Sequence, residues 1–227
     1  MELSKRLKKI TSMVDNCHTI IDVGTDHGYI PIHLIKNKFC EHVIASDINI
    51  GPVNKAKINI KLENLEEEIE CRHGSGLKVI KPGEAQGAVI AGMGGNLIRD
   101  IIEASVDVVK SLSYIILQPV QNPEILRKYL YEAGYDIIDE EICEEENKFY
   151  EIIKVKYGDK PVFLDEMLYE ISPILTRKNC KCFREYINAK LYKYTKILNN
   201  INEDTEAAIE RRVEISNKII RIKEMLS

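Results

Sequence analysis

Short apolar runs alternate along the first two-thirds of the chain with segments of helical periodicity, and this alternation limits the fold more than any other feature. The runs are Thr19–Val23, His42–Asp47, Glu70–His73, Gly87–Ala91 and Tyr114–Gln118. Between them lie helical patterns near Tyr29–Asn37, Pro52–Asn64, Asn96–Ala104 and Pro123–Ala133. A strand that is apolar on consecutive residues is covered on both faces, and strands separated by helices cross over to parallel neighbours. Two more strands, about Asp136–Cys143 and Phe149–Lys156, follow one another across an acidic turn with no room for a helix. They predict an antiparallel hairpin at the sheet edge. The expected fold is therefore α/β, a seven-stranded, mostly parallel, Rossmann-like sheet. A first helix is predicted within residues 1–15, with Leu3, Leu7, Ile10 and Val14 on one face and Lys5, Arg6, Lys8 and Lys9 projecting from the rest.

The strand pattern stops at Gly158-Asp159-Lys160-Pro161, which predicts domains of 1–157 and 158–227. Phe163–Leu175 has a helical pattern. Ile187, Leu191, Tyr194, Leu198 and Ile201 then recur at spacings of four and three. Ala208, Ile215, Ile219, Ile222 and Leu226 repeat the pattern, interrupted at Arg212. This spacing is a coiled-coil seam, and Asn199–Asp204 suits a turn between two arms, so a helical hairpin is expected as the C-terminal domain.

Composition excludes some classes. With 44% hydrophobic and 30% charged residues among 227, the chain has ordinary globular content rather than that of a disordered segment. Its longest apolar stretches fall far short of the ~20 residues of a membrane helix, so no membrane association is expected. The basic start runs into Ile10 without the apolar core of a secretory signal. The six cysteines fit no disulfide framework, and Cys180-x-Cys182 lacks a second pair to complete a zinc site. A cytoplasmic, reduced protein without metal is expected, with a monomer favoured.

The first strand opens into Ile-Asp-Val-Gly-Thr-Asp-His-Gly-Tyr-Ile-Pro-Ile, residues 21–32. The acid Asp22 followed by Gly24 and Gly28 marks a strand-to-helix turn that a ligand can approach without meeting a Cβ. The second strand ends at Asp47, 23 residues after Gly24, where a carboxylate can accept both hydroxyls of a ribose. A full G-x-G-x-x-G pyrophosphate cradle is missing. A nucleoside ligand without phosphates fits better, and S-adenosylmethionine is the common cofactor of that kind. The fourth strand ends in Ala91-Gly92-Met93-Gly94-Gly95, exposing backbone at the same edge, and the fifth in Leu117-Gln118-Pro119. Gln118 is either a substrate contact or a helix-entry or solvent-facing residue.

Four motifs together resemble the bacterial tRNA (adenine-22-N1)-methyltransferase family. They are Asp-Val-Gly-Thr-Asp-His-Gly-Tyr-Ile-Pro-Ile (22–32), Ala-Gly-Met-Gly-Gly (91–95), Leu-Gln-Pro (117–119) and Phe-Tyr-Glu-Ile-Ile (149–153). The resemblance covers nearly the whole chain, the helical tail included. It implies a class I S-adenosylmethionine-dependent methyltransferase acting on N1 of adenosine 22 in tRNA. It also implies that Gly24, Asp26, His27, Asp47, Gly74, Gly92 and Met93 surround the cofactor or the reacting base. Where the family has Gly-Asp-Gly after the third strand, this chain has Gly74-Ser75-Gly76, so Ser75 makes a neutral contact in place of a carboxylate. Where the family commonly has Asn after Leu-Gln-Pro, this chain has Val120.

The implied reaction leaves a cationic base, and a carboxylate beside it would stabilise the developing charge. Asp26 is the first candidate and His27 the second; the alternative for Asp26 is a helix N-cap. The Watson–Crick edge carries N1, so the base must leave its stack. Tyr29 either holds it or packs in the core. Formal net charge is −4, but residues 1–157 carry −6 and residues 158–227 carry +2. Contacts to tRNA are therefore expected from Lys5, Arg6 and Lys9 of the first helix and from Arg177, Lys178 and Lys181 of the tail. The acidic run Asp139–Glu146 is expected to be a solvated turn facing away from RNA. Competing readings are a methyltransferase for another RNA or a small molecule, and a non-catalytic cofactor-binding adaptor.

Overall fold

A computed structural model describes residues 2–226. The chain forms two compact units, one ending at Glu170 and the other starting at Ile171. Residues 158–170 thus belong with the first unit. There the Val162 amide donates to the Tyr131 carbonyl at 2.9 Å.

In the first unit, α1 (Lys5–Thr11) precedes an alternating series. It runs β1 (Cys17–Val23), α2 (Tyr29–Lys36), β2 (Cys40–Asp47), α3 (Ile50–Leu62), β3 (Ile69–His73) and β4 (Gly87–Gly94). Then come α4 (Gly95–Glu103), α5 (Val106–Ser111), β5 (Tyr114–Gln121), α6 (Pro123–Glu132), β6 (Tyr135–Glu145), β7 (Lys148–Tyr157) and α7 (Glu166–Glu170). The seven strands lie in the order β3-β2-β1-β4-β5-β7-β6. Strands β1 to β5 pair in parallel, while β7 is antiparallel to both β5 and β6. The seven-stranded, mostly parallel sheet and its edge hairpin match the expectation.

Side-chain alternation explains the continuous apolar runs. Ile21, Val23, Ile90, Ile115 and Leu117 enter one core, with Ile98 and Ile102 of α4 and Leu126 and Leu130 of α6. Ile20, Val43, Val89 and Ile116 enter the other, with Ile10 of α1, Leu34 of α2 and Ile60 of α3. Every interior strand therefore needs apolar residues at both parities. Helix α5 has no counterpart in the expectation, and two other elements differ from it. Helix α3 begins at Ile50, ahead of Pro52, because a proline in the first helical turn forfeits no intrahelical bond. The single helix expected over Phe163–Leu175 is two, α7 and α8 (Pro173–Lys178). Ser172 Oγ accepts from the Ile174 and Leu175 amides, both at 3.1 Å, and so starts a new helix at Pro173.

In the second unit, α9 (Lys181–Asn199) and α10 (Glu206–Leu226) pack against one another as a helical hairpin. Phe183, Tyr186 and Ile187 of α9 and Ile215, Ile219 and Ile222 of α10 are buried. Arg212, which interrupts the apolar seam, reaches back to the connecting loop, where it bonds the Glu203 carbonyl and Asp204.

The edge hairpin is fixed by a charge cluster inside the protein. Arg127 of α6 is fully buried. Its Nε and Nη2 donate to Glu140 of β6 at 2.9 and 2.7 Å, and Nη2 also donates to Glu151 of β7 at 2.6 Å. Its Nη1 donates to the Tyr169 carbonyl of α7 at 2.5 Å. Removing one partner from such a cluster strands buried charge. Arg127→Met is expected to cost about 3–5 kcal/mol, read as a lower urea midpoint.

Candidate active site

All five parallel strands end on one edge, and the chain reverses direction across the sheet between β1 and β4. Open α/β sheets bind ligands at that switch point. Here a cleft of about 540 Å³ opens, lined by Asp22, Gly24, Asp26 and Tyr29 from the β1 end and Ala91 and Gly92 from the β4 end. Its far wall carries Arg6 of α1 with Glu145, Glu146 and Tyr150 of the hairpin.

The β1 turn is built by backbone bonding. The Gly24 and Thr25 amides both donate to the Ser46 carbonyl at 2.8 Å, and Gly24 has φ +81°. A Cβ at Gly24 would stand where the flexible Met93 side chain ends, and it is the positive φ that favours glycine there. His27 has φ +62°, and its carbonyl accepts from Asn59 Nδ2 at 2.9 Å. Its ring stacks on Tyr29, with centroids 5.2 Å apart and planes 14° from parallel. Asp26 does not cap α2: the N-cap is Gly28, and no side chain bonds there. The Asp26 carboxylate is instead exposed, with His27 Nε2 at 3.4 Å from Oδ1.

The other expected residues lie along the same edge without lining this cleft. Asp47 ends β2, and its Oδ1 accepts from the Asn49 amide at 2.7 Å. Gly74 donates its amide to the Asp47 carbonyl at 3.0 Å, and the exposed Ser75 begins a 3-10 turn. Met93 packs against the core. Gln118 is fully buried, not solvent-facing, and bonds Arg6. Of the first-helix cations, Lys5 is exposed, whereas Lys9 pairs with Glu141 at 3.2 Å. In the second unit Arg177 and Lys178 are exposed at the end of α8, and Lys181 is exposed at the start of α9. Among the described residues no three His, Cys, Asp or Glu side chains gather as a metal site.

The hairpin contribution was not legible beforehand. The acidic run expected to face away from RNA sends Glu145 and Glu146 into the cleft lining. Glu146 and Asn147 both have positive φ, +51° and +59°, which makes the two-residue turn of the type that suits strand twist. The only available signal was the Phe149–Ile153 motif.

The model of the family described as TrmK, tRNA (adenine(22)-N(1))-methyltransferase, matches residues 20–224. The chain belongs to this family. The tRNA (adenine(22)-N(1))-methyltransferase of Bacillus subtilis strain 168 is 33% identical over 232 residues, covering 100% of this chain and 98% of that one. The crystal structure of B. subtilis TrmK aligns with a TM-score of 0.87 at 32% identity, over 100% of this chain and 99% of that one. M. capricolum TrmK, solved with S-adenosyl-homocysteine, aligns with a TM-score of 0.85 at 27% identity over 100% of both chains. The fold is thus that of the S-adenosylmethionine-dependent tRNA methyltransferases of this family, Rossmann-like with a helical C-terminal unit.

Within the cleft, Asp22 has a distinctive titration. Burial in β1 pushes its carboxyl up to about 7; the Thr25 hydroxyl opposes this, and the Asp47 charge adds to it. An unfolded aspartate titrates near pH 4. Between about pH 4 and about pH 7 the folded chain keeps a proton that the unfolded chain gives up, so stability falls as pH rises through that window. Asp22→Asn is expected to flatten this part of the stability profile, by up to about 4 kcal/mol, measured as urea midpoints across the window.

Proposed function

We propose that the cleft and its adjoining strand ends bind S-adenosylmethionine and present its methyl group to N1 of adenosine 22 in tRNA. One observation carries this reading: in a chain whose family match runs from residue 20 to 224, Asp22, Gly24, Asp26, Tyr29 and Gly92 of the two glycine motifs line one cleft at the switch point. The residues present fit the cofactor. Gly24 and Gly92 expose backbone at φ +81° and +78°, and no atom lies within 4 Å of where a Gly94 Cβ would stand. Asp47 would accept the ribose hydroxyls, with Gly74 and Ser75 beside the adenine and Met93 backing the turn. Asp22 would face the methionyl end. When bound, the cofactor supplies the sulfonium methyl.

The chain's own task is positioning. N1 of neutral adenine already carries an in-plane lone pair, so no general base is required, and alignment supplies most of the acceleration. Tyr29, backed by His27, offers an aromatic surface for the extruded base. Asp26, uncommitted to any helix cap, places negative charge where the methylated ring becomes cationic. His27 orients it. On the RNA side, Lys5 of the first unit and Arg177, Lys178 and Lys181 of the second supply backbone contacts. We take the enzyme to act as a monomer in the cytoplasm, where tRNA is modified.

Incubating the protein with unmodified tRNA and a labelled methyl donor should incorporate label and create a reverse-transcription stop at position 22. Absence of both refutes the reading. Asp26→Asn should lower turnover by roughly 10²-fold with cofactor affinity within about twofold; unchanged turnover at saturating tRNA removes the role given to Asp26. Reversing the charge of Arg177, Lys178 and Lys181 together should weaken tRNA binding and flatten its salt dependence, by about one unit of log–log slope per lost phosphate contact. Cofactor titration should be unaffected.

A further inference from the structure

Arg6 joins three elements at the mouth of the cleft. Its Nη1 donates to Gln118 Oε1 at 2.6 Å. Its Cζ lies 5.6 Å from the centroid of the Tyr150 ring. Its backbone amide donates to Glu145 Oε1 at 3.2 Å, and its Nε lies 3.9 Å from Glu145 Oε2. One guanidinium therefore connects α1, the end of β5 and the edge hairpin. A planar fork of donors with a stacking face reaches these partners in one fixed geometry, where an ammonium offers a single point charge.

Gln118 is held by the same arrangement. Its Oε1 accepts from Arg6, and its Nε2 donates one N–H to the Pro119 carbonyl at 2.8 Å. The amide is buried behind the cleft and does not line it. Arg6, in contrast, lines the cleft, with Nη1 3.9 Å from where a Gly92 Cβ would stand. Nor is Arg6 placed as a phosphate contact, since its side chain is only 24% exposed and is paired with Glu145.

We propose that Arg6 is a positioning residue for methyl transfer, holding Gln118 and Tyr150 so that α1 and the hairpin form one fixed wall for the target base. The proposal rests on the function proposed above and deepens it. Stacking of the guanidinium orients the Tyr150 ring, a second aromatic surface in the cleft besides Tyr29. Pairing with Glu145 also matters electrostatically. An unpaired cation beside a base that becomes positive would oppose the reaction. Glu145 offsets Arg6, so the Asp26 and Glu146 carboxylates determine the sign of the lining.

The test uses the full-length chain with Arg6→Ala, Arg6→Lys, Gln118→Leu and Gln118→Glu, each checked for folding by its thermal melt. Methyl transfer to unmodified tRNA, cofactor binding and tRNA binding are measured for each. Both Arg6 variants should lower kcat by roughly 10- to 100-fold, with the Kd values for cofactor and tRNA within about twofold. Gln118→Leu should behave alike, while Gln118→Glu keeps an acceptor facing Arg6 but sets an oxygen against the Pro119 carbonyl, and should recover only part of that loss. Wild-type kcat in Arg6→Lys overturns the proposal. So does a loss confined to tRNA affinity with a smaller salt slope, which marks a phosphate contact. Wild-type kcat in Gln118→Leu also overturns it, because the Arg6–Gln118 bond would then do nothing for transfer. Should Arg6→Ala fail to fold, Arg6→Lys and the Gln118 pair decide alone. A wild-type protein that transfers no methyl to tRNA refutes the proposed function; an active wild type with unaffected variants refutes only the role of Arg6.

Discussion

Parallel pairing of β1 with β2 on one side and β4 on the other is the constraint from which the cleft follows. Strand β1 is paired from Cys17 to Val23 against β2 and from Ile20 to Val23 against β4. Both partners run the same way, so the turns leaving all three strands gather at one edge. The crossover from β3 to β4 carries the chain to the other side of β1, and no helix can bridge the gap directly above the switch. The gap is held at a fixed width by packing. Gly24 leaves room for the Met93 methyl, and the Ser46 carbonyl holds two successive amides of the β1 turn.

The remaining wall depends on elements distant in sequence. Strand alternation sends Tyr150 towards the α1 side of the sheet and Glu151 towards α6. Tyr150 meets Arg6, and Glu151 meets Arg127. One step of a single residue in the chain thus ties the cleft wall to the buried ion cluster that anchors the hairpin. A buried cluster of this kind stabilises less than its hydrogen bonds suggest, because desolvation offsets most of the attraction. Its value here lies in register: a one-residue slip of β7 would exchange Tyr150 and Glu151 between faces and lose both.

Charge in the cleft suits the chemistry better than overall charge implied. The net of −4 averages an acidic first unit with a basic tail. The acids are not spread evenly, because Asp22, Asp26, Glu145 and Glu146 all line one cleft that contains Arg6. Such a lining attracts positive charge, mainly through Asp26 and Glu146, and disfavours approach of bare phosphate. Exposed cations lie elsewhere, at Lys5, Arg177 and Lys178.

Local chemistry made much of this readable in one dimension. Apolar runs at both parities required a sheet covered on two faces, and Gly24, Gly28 and Gly92 marked turns that take positive φ. The Asp22–Ile32 and Ala91–Gly95 motifs located the cleft because strand ends and the turns after them are contiguous in sequence. The break at Ser172–Pro173 was equally local, a cap followed by a residue without an N–H, and was readable in principle. Tertiary structure alone decided which distant side chains meet. Arg6 and Gln118 are 112 residues apart and Arg6 and Glu145 are 139 apart, and no periodicity encodes such pairings. Whether Arg6 faced solvent or the cleft, and whether the end of an acidic run lined that cleft, depended on where α1 and the hairpin came to rest against the sheet. That placement follows from summed packing over both faces of seven strands, a property of the folded whole rather than of any segment.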